Sequence, residues 1–366
     1  MATRASERSA EPMRIGVDEQ GGLPLPWLGP AMQHAQALER SHALLLQGPA
    51  GAGHLEFAGL LAQAWLCEAP GRAGRGAMPC GRCASCHLVR TRSHPDLLLV
   101  LPDAWRARLG WLGDDEAGAK PDAKPSRDIR VEQVRQAIDW SHQTSGRGRG
   151  KLMLLHPADA LNGPSANALL KTLEEPAAGL RLLLSSTDPE RLLPTLRSRC
   201  QRLKLDLPDD AAATAWLQAR GLDEPAPLLA LASGSPLEAL AWGEEGITPG
   251  WLAELPQRVA AGDASAFSGR PLPRAIDLLL KLAHDLMAQA AGGAPRFYIA
   301  SRWPPPADMA GLVAWQRALL RAARHDEHPW NAALLVESLV TQATVLWPKA
   351  AAGRAPRNMP PLHSAR

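Results

Sequence analysis

Two groupings of residues in this 366-residue chain could do chemistry. The first is GPAGAGHLEF at 48–57. Gly48 and Gly53 have the spacing of a phosphate-binding loop, in which Lys and then Ser or Thr follow the second glycine. Here His54 stands in the lysine's place and Leu55 in the hydroxyl's. In a working loop the lysine sets a fixed positive charge against the β/γ-phosphates and the hydroxyl ligates magnesium. Leucine cannot ligate a metal, and histidine with an ordinary pKa is mostly neutral near pH 7. The other half of such a site is an acidic pair after a buried strand. After KLMLL (151–155) come His156 and Pro157 instead, and Asp159 is expected at the surface. Two independent parts are degraded together, which argues for a loop that keeps its shape without binding ATP. Taken alone, Gly48, Gly51 and Gly53 could equally be no more than a tight strand-to-helix turn.

The second grouping is Cys67, Cys80, Cys83 and Cys86, spaced C-x12-C-x2-C-x2-C. Two-residue gaps let neighbouring thiolates converge on one ion, and tetrahedral Zn²⁺ takes four ligands at about 2.3 Å. Four sulfurs leave no open position for water, so the expectation is a structural zinc. Reduced surface thiols, an iron–sulfur cluster and substitution by the adjacent His87 are the alternatives. Cys200 lies far off in sequence and is expected to be a small buried side chain.

These groups need elements to hold them. Ala43–Gln47, Leu97–Leu101, Leu152–Leu155 and Leu180–Ser185 are short apolar runs of the kind found in buried strands. Helical spacing marks His54–Cys67, Ile129–Ser141 and Ser165–Glu174, the last with Pro164 near its start. Strand–helix alternation through Leu205 implies a parallel sheet covered by helices. Residues 1–25 read as a loose arm, Pro70–Pro79 as a Gly/Arg loop and Pro102–Arg127 as a long exposed loop. After Pro208 the strand signals stop. Short helices are expected over Asp209–Gly243 and longer ones from Pro249 to about Trp347, broken at Trp303–Pro306, and Lys349–Arg366 reads as a frayed tail.

Composition narrows the class. Hydrophobic residues make up 46% and charged residues 21%, a globular balance. No apolar run reaches the roughly 20 residues of a membrane span, and no apolar stretch follows the basic N-terminus as a secretion signal requires. No membrane partner and a cytoplasmic location are the resulting expectations. A net charge of +3 gives no argument for nucleic acid. GRGRGK at 146–151 could touch phosphate, or be a solvated turn.

Three further stretches complete a pattern: SANALLKTLEEP (165–176), LLLSSTDPERLLPTLRSRCQ (182–201) and the cysteine cluster, alongside the broken loop. Together they resemble the delta-prime subunits of bacterial DNA polymerase III clamp loaders, in the AAA+ superfamily. The likeness is dense over about 43–206 and looser to about 347. It implies an α/β AAA+ (RecA-like) module with a parallel sheet and a zinc-binding insert (67–86) over 26–207. A helical lid domain over 208–247 and an all-α collar for oligomerisation over 248–348 would follow, with a flexible arm (1–25) and tail (349–366).

The resemblance also implies a role for the lost site. In such assemblies one subunit cradles ATP and its neighbour reaches across with an arginine. Ser198-Arg199-Cys200 matches that reach, with Arg199 as a trans-acting finger beside Ser198; read from spacing alone, Arg199 could equally be a surface or core-capping salt bridge. An arginine offers a permanently charged planar fork to phosphate oxygens, and fingers supplied in trans are worth about 10³–10⁵ in rate. Lys171, Glu174 and Glu175 would lie at a contact surface between modules, or at a solvated helix end. Ser186 and Thr187 match a polar sensor but read as structural here, and SGSPLEAL (233–240) has Pro236 and Leu237 where active relatives carry a second sensor arginine. The implied partners are gamma/tau and delta subunits, and through the assembly a sliding clamp and primed DNA. The implied function is a non-hydrolysing subunit of the polymerase holoenzyme. Two rivals are a gamma/tau-like ATP-hydrolysing motor and a zinc-dependent nucleic-acid-binding protein with a degenerate NTPase fold.

Overall fold

A computed structural model describes residues 15–38, 41–69, 78–111, 125–301, 308–324 and 331–347, and the chain divides into two compact units, Met1–Pro208 and Asp209–Arg366. Residues 1–14 of the expected arm, residues 70–77 of the expected Gly/Arg loop at 70–79, the centre of the 102–127 segment, the Pro-rich break at 303–306 and the tail at 349–366 lie outside the described residues.

In the first unit the apolar runs become one parallel sheet. Its strands are β1 (Ala43–Gln47), β2 (Leu97–Val100), β3 (Lys151–Leu155), β4 (Leu180–Ser186) and β5 (Gln201–Lys204), in the order β2-β3-β4-β1-β5. Every residue of β3 is buried and all but Arg181 of β4, as strands covered on both faces require. Sequence periodicity does not reveal β5, because only Leu203 of its four residues is buried. It is an edge strand, recognised only by its pairing with β1.

Helices alternate with the strands: α1 (Leu28–Ala37), α2 (His54–Leu66), α3 (Ala84–Arg90), α4 (Asp103–Arg108), α5 (Val131–Ser141), α6 (Gly163–Glu174) and α7 (Pro194–Arg197). One face of the sheet, with Leu45, Met153 and Leu182, packs with Val134 of α5 and Leu169 and Leu173 of α6. Asn162 caps α6, its Oδ1 accepting from Ser165 N at 3.1 Å, and Pro164 occupies the first turn.

Two expectations are corrected here. Residues 15–25 are not a loose arm: Ile15, Val17 and Leu25 are buried, Val17 N donates to Gln63 Oε1 at 2.7 Å, and Gln63 Nε2 donates to Val17 O at 3.2 Å. A buried amide that satisfies an extended backbone from both sides fixes that segment against α2. The 102–127 segment is not all exposed loop either. It opens with α4, held by an Arg130–Asp103 ion pair at 2.8 Å.

The second unit is helical: α8 (Asp210–Gln218), α9 (Ala226–Leu231), α10 (Pro236–Glu244), α11 (Pro249–Ala260), α12 (Leu272–Ala290), α13 (Met309–Arg324) and α14 (Ala332–Thr344). The expected lid and collar segments fall together in this unit, with Arg274 of α12 bonded to Glu238 and, at 2.7 Å, to Glu245. Leu278, Leu282 and Leu286 are core residues, as their stripe suggests. Buried Asp285 accepts from the N–H groups of Arg296, Phe297 and Tyr298 at 2.8–2.9 Å, which satisfies its charge and pins the following loop. Among the described residues no helix is long and apolar enough to cross a membrane.

Candidate nucleotide loop, thiol cluster and exposed arginine

In an open parallel sheet, ligands bind beyond the carboxyl ends of the strands. The 48–53 loop follows the end of β1 there, and its backbone dictates glycine. Gly51 and Gly53 have φ of +79° and +93°, and a Cβ on Gly48 would lie 2.1 Å from Leu205 O. The loop therefore has its shape for steric reasons that hold with or without a ligand.

The side chain in the lysine's place supplies no fixed positive charge. His54 is 4% exposed, and burial holds its imidazole down at about 4, with Asp159 pulling the other way. His156, at the end of β3, is held at about 3 by burial and then by His54. Its Nδ1 lies 2.7 Å from Ser185 Oγ, and the Trp105 ring of α4 packs edge-on at 4.5 Å. Both imidazoles are thus neutral at pH 7. Glu56, in the first turn of α2, adds an acid where a phosphate would need cations; burial pushes it up to about 7 against a bond from its own N–H. Asp159 is half-buried, with Oδ1 enclosed and unpartnered, which corrects its expected surface position. His54 and Asp159, far apart in sequence, come together only through the fold.

The four cysteines expected to cluster do so: their sulfurs all lie within 4.8 Å of one another. Cys80–Cys86 and Cys83–Cys67 are separated by 3.8 and 4.0 Å. A tetrahedron with metal–sulfur bonds of about 2.3 Å has edges of about 3.8 Å, close to the two separations above, so the set could hold a single ion. Backbone N–H groups of Glu68, Cys80, Cys83 and Cys86 point at the sulfurs at 3.3–3.5 Å, as donors that stabilise thiolate should. Cys67 ends α2 and Cys83 caps α3, so two helix ends converge on the site. His87 lies outside this set. Cys200 is buried in the core and pushed up to about 12 by burial, an inert thiol.

The cluster is tied to the basic turn. Arg147 Nε donates to Glu68 Oε1 at 2.7 Å and to Ser85 Oγ at 3.0 Å, while Asp96 accepts from Gly146 and Arg147 N–H at 2.7 and 2.8 Å. Lys151 is buried, with Nζ on Trp140 O at 2.7 Å. Two of the turn's three cations are therefore bonded to other groups of the protein, which weakens it as a phosphate-binding patch.

The remaining site residue lies elsewhere. Arg199 follows α7, with its side chain 34% exposed. Nε donates to Glu174 Oε1 at 2.8 Å, Nη2 bonds the same oxygen, and Nη1 donates to Thr195 O at 2.8 Å. Ser198 Oγ bonds Thr195 O, and Cys200 anchors the next position in the core. Lys171, Glu174 and Glu175 are exposed at the end of α6. Ser186 is buried, accepting from Asp188 N, and Thr187 is exposed. Ser235 caps α10, with Pro236 buried beside it.

Comparison with known proteins settles the family. The subunit delta' of Pseudomonas aeruginosa DNA polymerase III is 35% identical over 338 residues, spanning 86% of this chain and 93% of that protein. This chain belongs to the DNA polymerase III subunit delta' family. A family model described as "DNA polymerase III, delta subunit" matches residues 31–209. The Escherichia coli delta' subunit is 34% identical over 59% of this chain and 60% of its own length. The tau subunit of Salmonella typhimurium is 34% identical over 45% of this chain and 21% of its own. A gamma subunit-related protein from Thermotoga maritima gives a looser likeness, with a TM-score of 0.45 at 14% identity over 86% of this chain and 99% of that one. As a delta' family member the chain carries the parallel-sheet module with a four-cysteine insert expected from its sequence.

Proposed function

We propose that this chain is a non-hydrolysing subunit of the clamp loader of DNA polymerase III. In this reading it holds the ring with delta and gamma/tau subunits and lends Arg199 to ATP bound by a neighbour. The assembly opens a sliding clamp and places it on primed DNA, and polymerase chemistry belongs to other chains. The helical segments 208–247 and 248–348 serve as lid and collar, the four cysteines hold a structural Zn²⁺, and the protein works in the cytoplasm.

The carrying observation is an electrostatic asymmetry. The chain's own loop offers two neutral histidines and an acid, while a permanently charged guanidinium stands half-exposed at the end of α7. A triphosphate without magnesium ligands or lysine lacks compensation in the first place and finds it in the second. Zinc, when bound, would supply cross-linking of Cys67 at the end of α2 to Cys80, Cys83 and Cys86, with no open position for catalysis.

The test is reconstitution with gamma/tau and delta subunits. The isolated chain should show no magnesium-ATP binding by calorimetry. The assembly should turn over ATP, and R199A should slow it while leaving assembly mass unchanged. Tight magnesium-ATP binding by the isolated chain would favour the gamma/tau-like motor; strong DNA binding lost on chelation would favour the nucleic-acid-binding reading.

A further inference from the structure

A finger acts only if its charge is aimed, and Arg199 has a long side chain with several rotatable bonds. What aims it is visible in its bonds. Of the five N–H groups of a guanidinium, the Nε–H and one Nη2–H form the side edge, and both meet Oε1 of Glu174. One Nη1–H meets Thr195 O. Ser198 Oγ, at 3.5 Å, is too distant to hold another proton strongly. The two N–H groups left over are one on Nη1 and one on Nη2, and both can donate to phosphate oxygens. Glu174 stands at the last turn of α6 and Thr195 in α7, so the guanidinium is held from both elements, while Cys200 anchors the next residue in the core.

We propose that Glu174 is the positioning residue for Arg199. It grips the side edge of the guanidinium and leaves an N–H group on each Nη to a phosphate held by a neighbouring subunit. This rests on the finger reading above and goes beyond it, because it assigns to the first glutamate of LLKTLEEP a role in the rate of another chain's ATP turnover. Displacing a reacting group by about 1 Å can cost about 10²-fold in rate, so loss of the grip should be felt in kcat. A positioning contact made to the transition state lowers kcat with little change in KM.

The experiment measures kcat and KM for ATP in the reconstituted assembly with R199A, E174A, E174Q and the double variant R199A/E174A, with assembly mass and melting checked for each. E174S replaces E174A if the latter assembles poorly. The expected result is a fall in kcat of at least about fivefold for R199A and for E174A, with KM within about twofold. E174Q keeps a carbonyl oxygen able to accept both N–H bonds and should stay within about twofold of wild type. The double variant should be no slower than R199A. If R199A is slow while E174A matches wild type, Glu174 has no positioning role and the finger reading survives. If E174A is faster than wild type, the carboxylate restrains Arg199, and the proposal is overturned. If R199A matches wild type, the finger reading itself fails and takes this proposal with it.

Discussion

Glu68 and Arg147, 79 residues apart, form a two-pronged ion pair, Nε to Oε1 at 2.7 Å and Nη2 to Oε2 at 3.0 Å. The pair joins the residue after the first cysteine of the cluster to the turn before β3. Arg147 holds the Glu68 carboxyl down at about 2. A carboxylate with a lowered pKa contributes stability above its unfolded pKa and loses it as pH falls toward the folded value.

That pair should govern the four-cysteine insert more than the whole fold. In the metal-loaded protein, R147A is expected to speed metal release to a competing chromogenic chelator and raise hydrogen exchange over 79–90, with only a small change in melting temperature, since exposed pairs contribute little. Full chelation should give a larger loss of protection over the same residues. An R147A protein with unchanged metal release and exchange would show the pair to be incidental.

Acid should destabilise the first unit through the buried histidines at its 48–53 loop and the end of β3. Between about pH 4.5 and 6.5 the unfolded chain protonates His54 and His156 while the folded chain, with values near 4 and 3, does not. Glu56 opposes them, because the folded state protonates it near 7 and the unfolded state does so only lower down. Two protons favour the unfolded state and one the folded, so these groups together make stability fall by on the order of 1.4 kcal/mol per pH unit as pH drops. E56Q removes the opposing proton and should roughly double that slope. Urea melts at several pH values measure it, and equal slopes for E56Q and wild type would contradict the assignment.

The loop glycines should prove structural. G48A places a methyl carbon 2.1 Å from Leu205 O, and neither partner is the free end of a side chain. A loss of about 1–3 kcal/mol is expected, read as a shift in the urea midpoint with the slope unchanged. That loss should appear without any nucleotide present, which separates a steric need for glycine from a phosphate-binding one.

The sequence by itself determined the parts whose signal is local. Four apolar runs are strands because strands buried on both faces are continuously apolar, and C-x2-C-x2-C sets thiol spacing along a short chain segment. Missing lysine, hydroxyl and carboxylates can be counted directly. The tertiary structure decided what depends on distant residues. The Gln63 amide fixes Val17 to α2, and no periodicity announces such a bond. β5 exists because β1 offers it a ladder, α4 brings Trp105 onto His156, and Arg147 faces Glu68 rather than solvent. Arg199 was legible as a residue type in SRC, but its partner was not: Glu174, 25 positions away, is brought alongside by the packing of α6 and α7. Spacing along a chain specifies what a segment can do; charge, burial and direction are set by what folds against it.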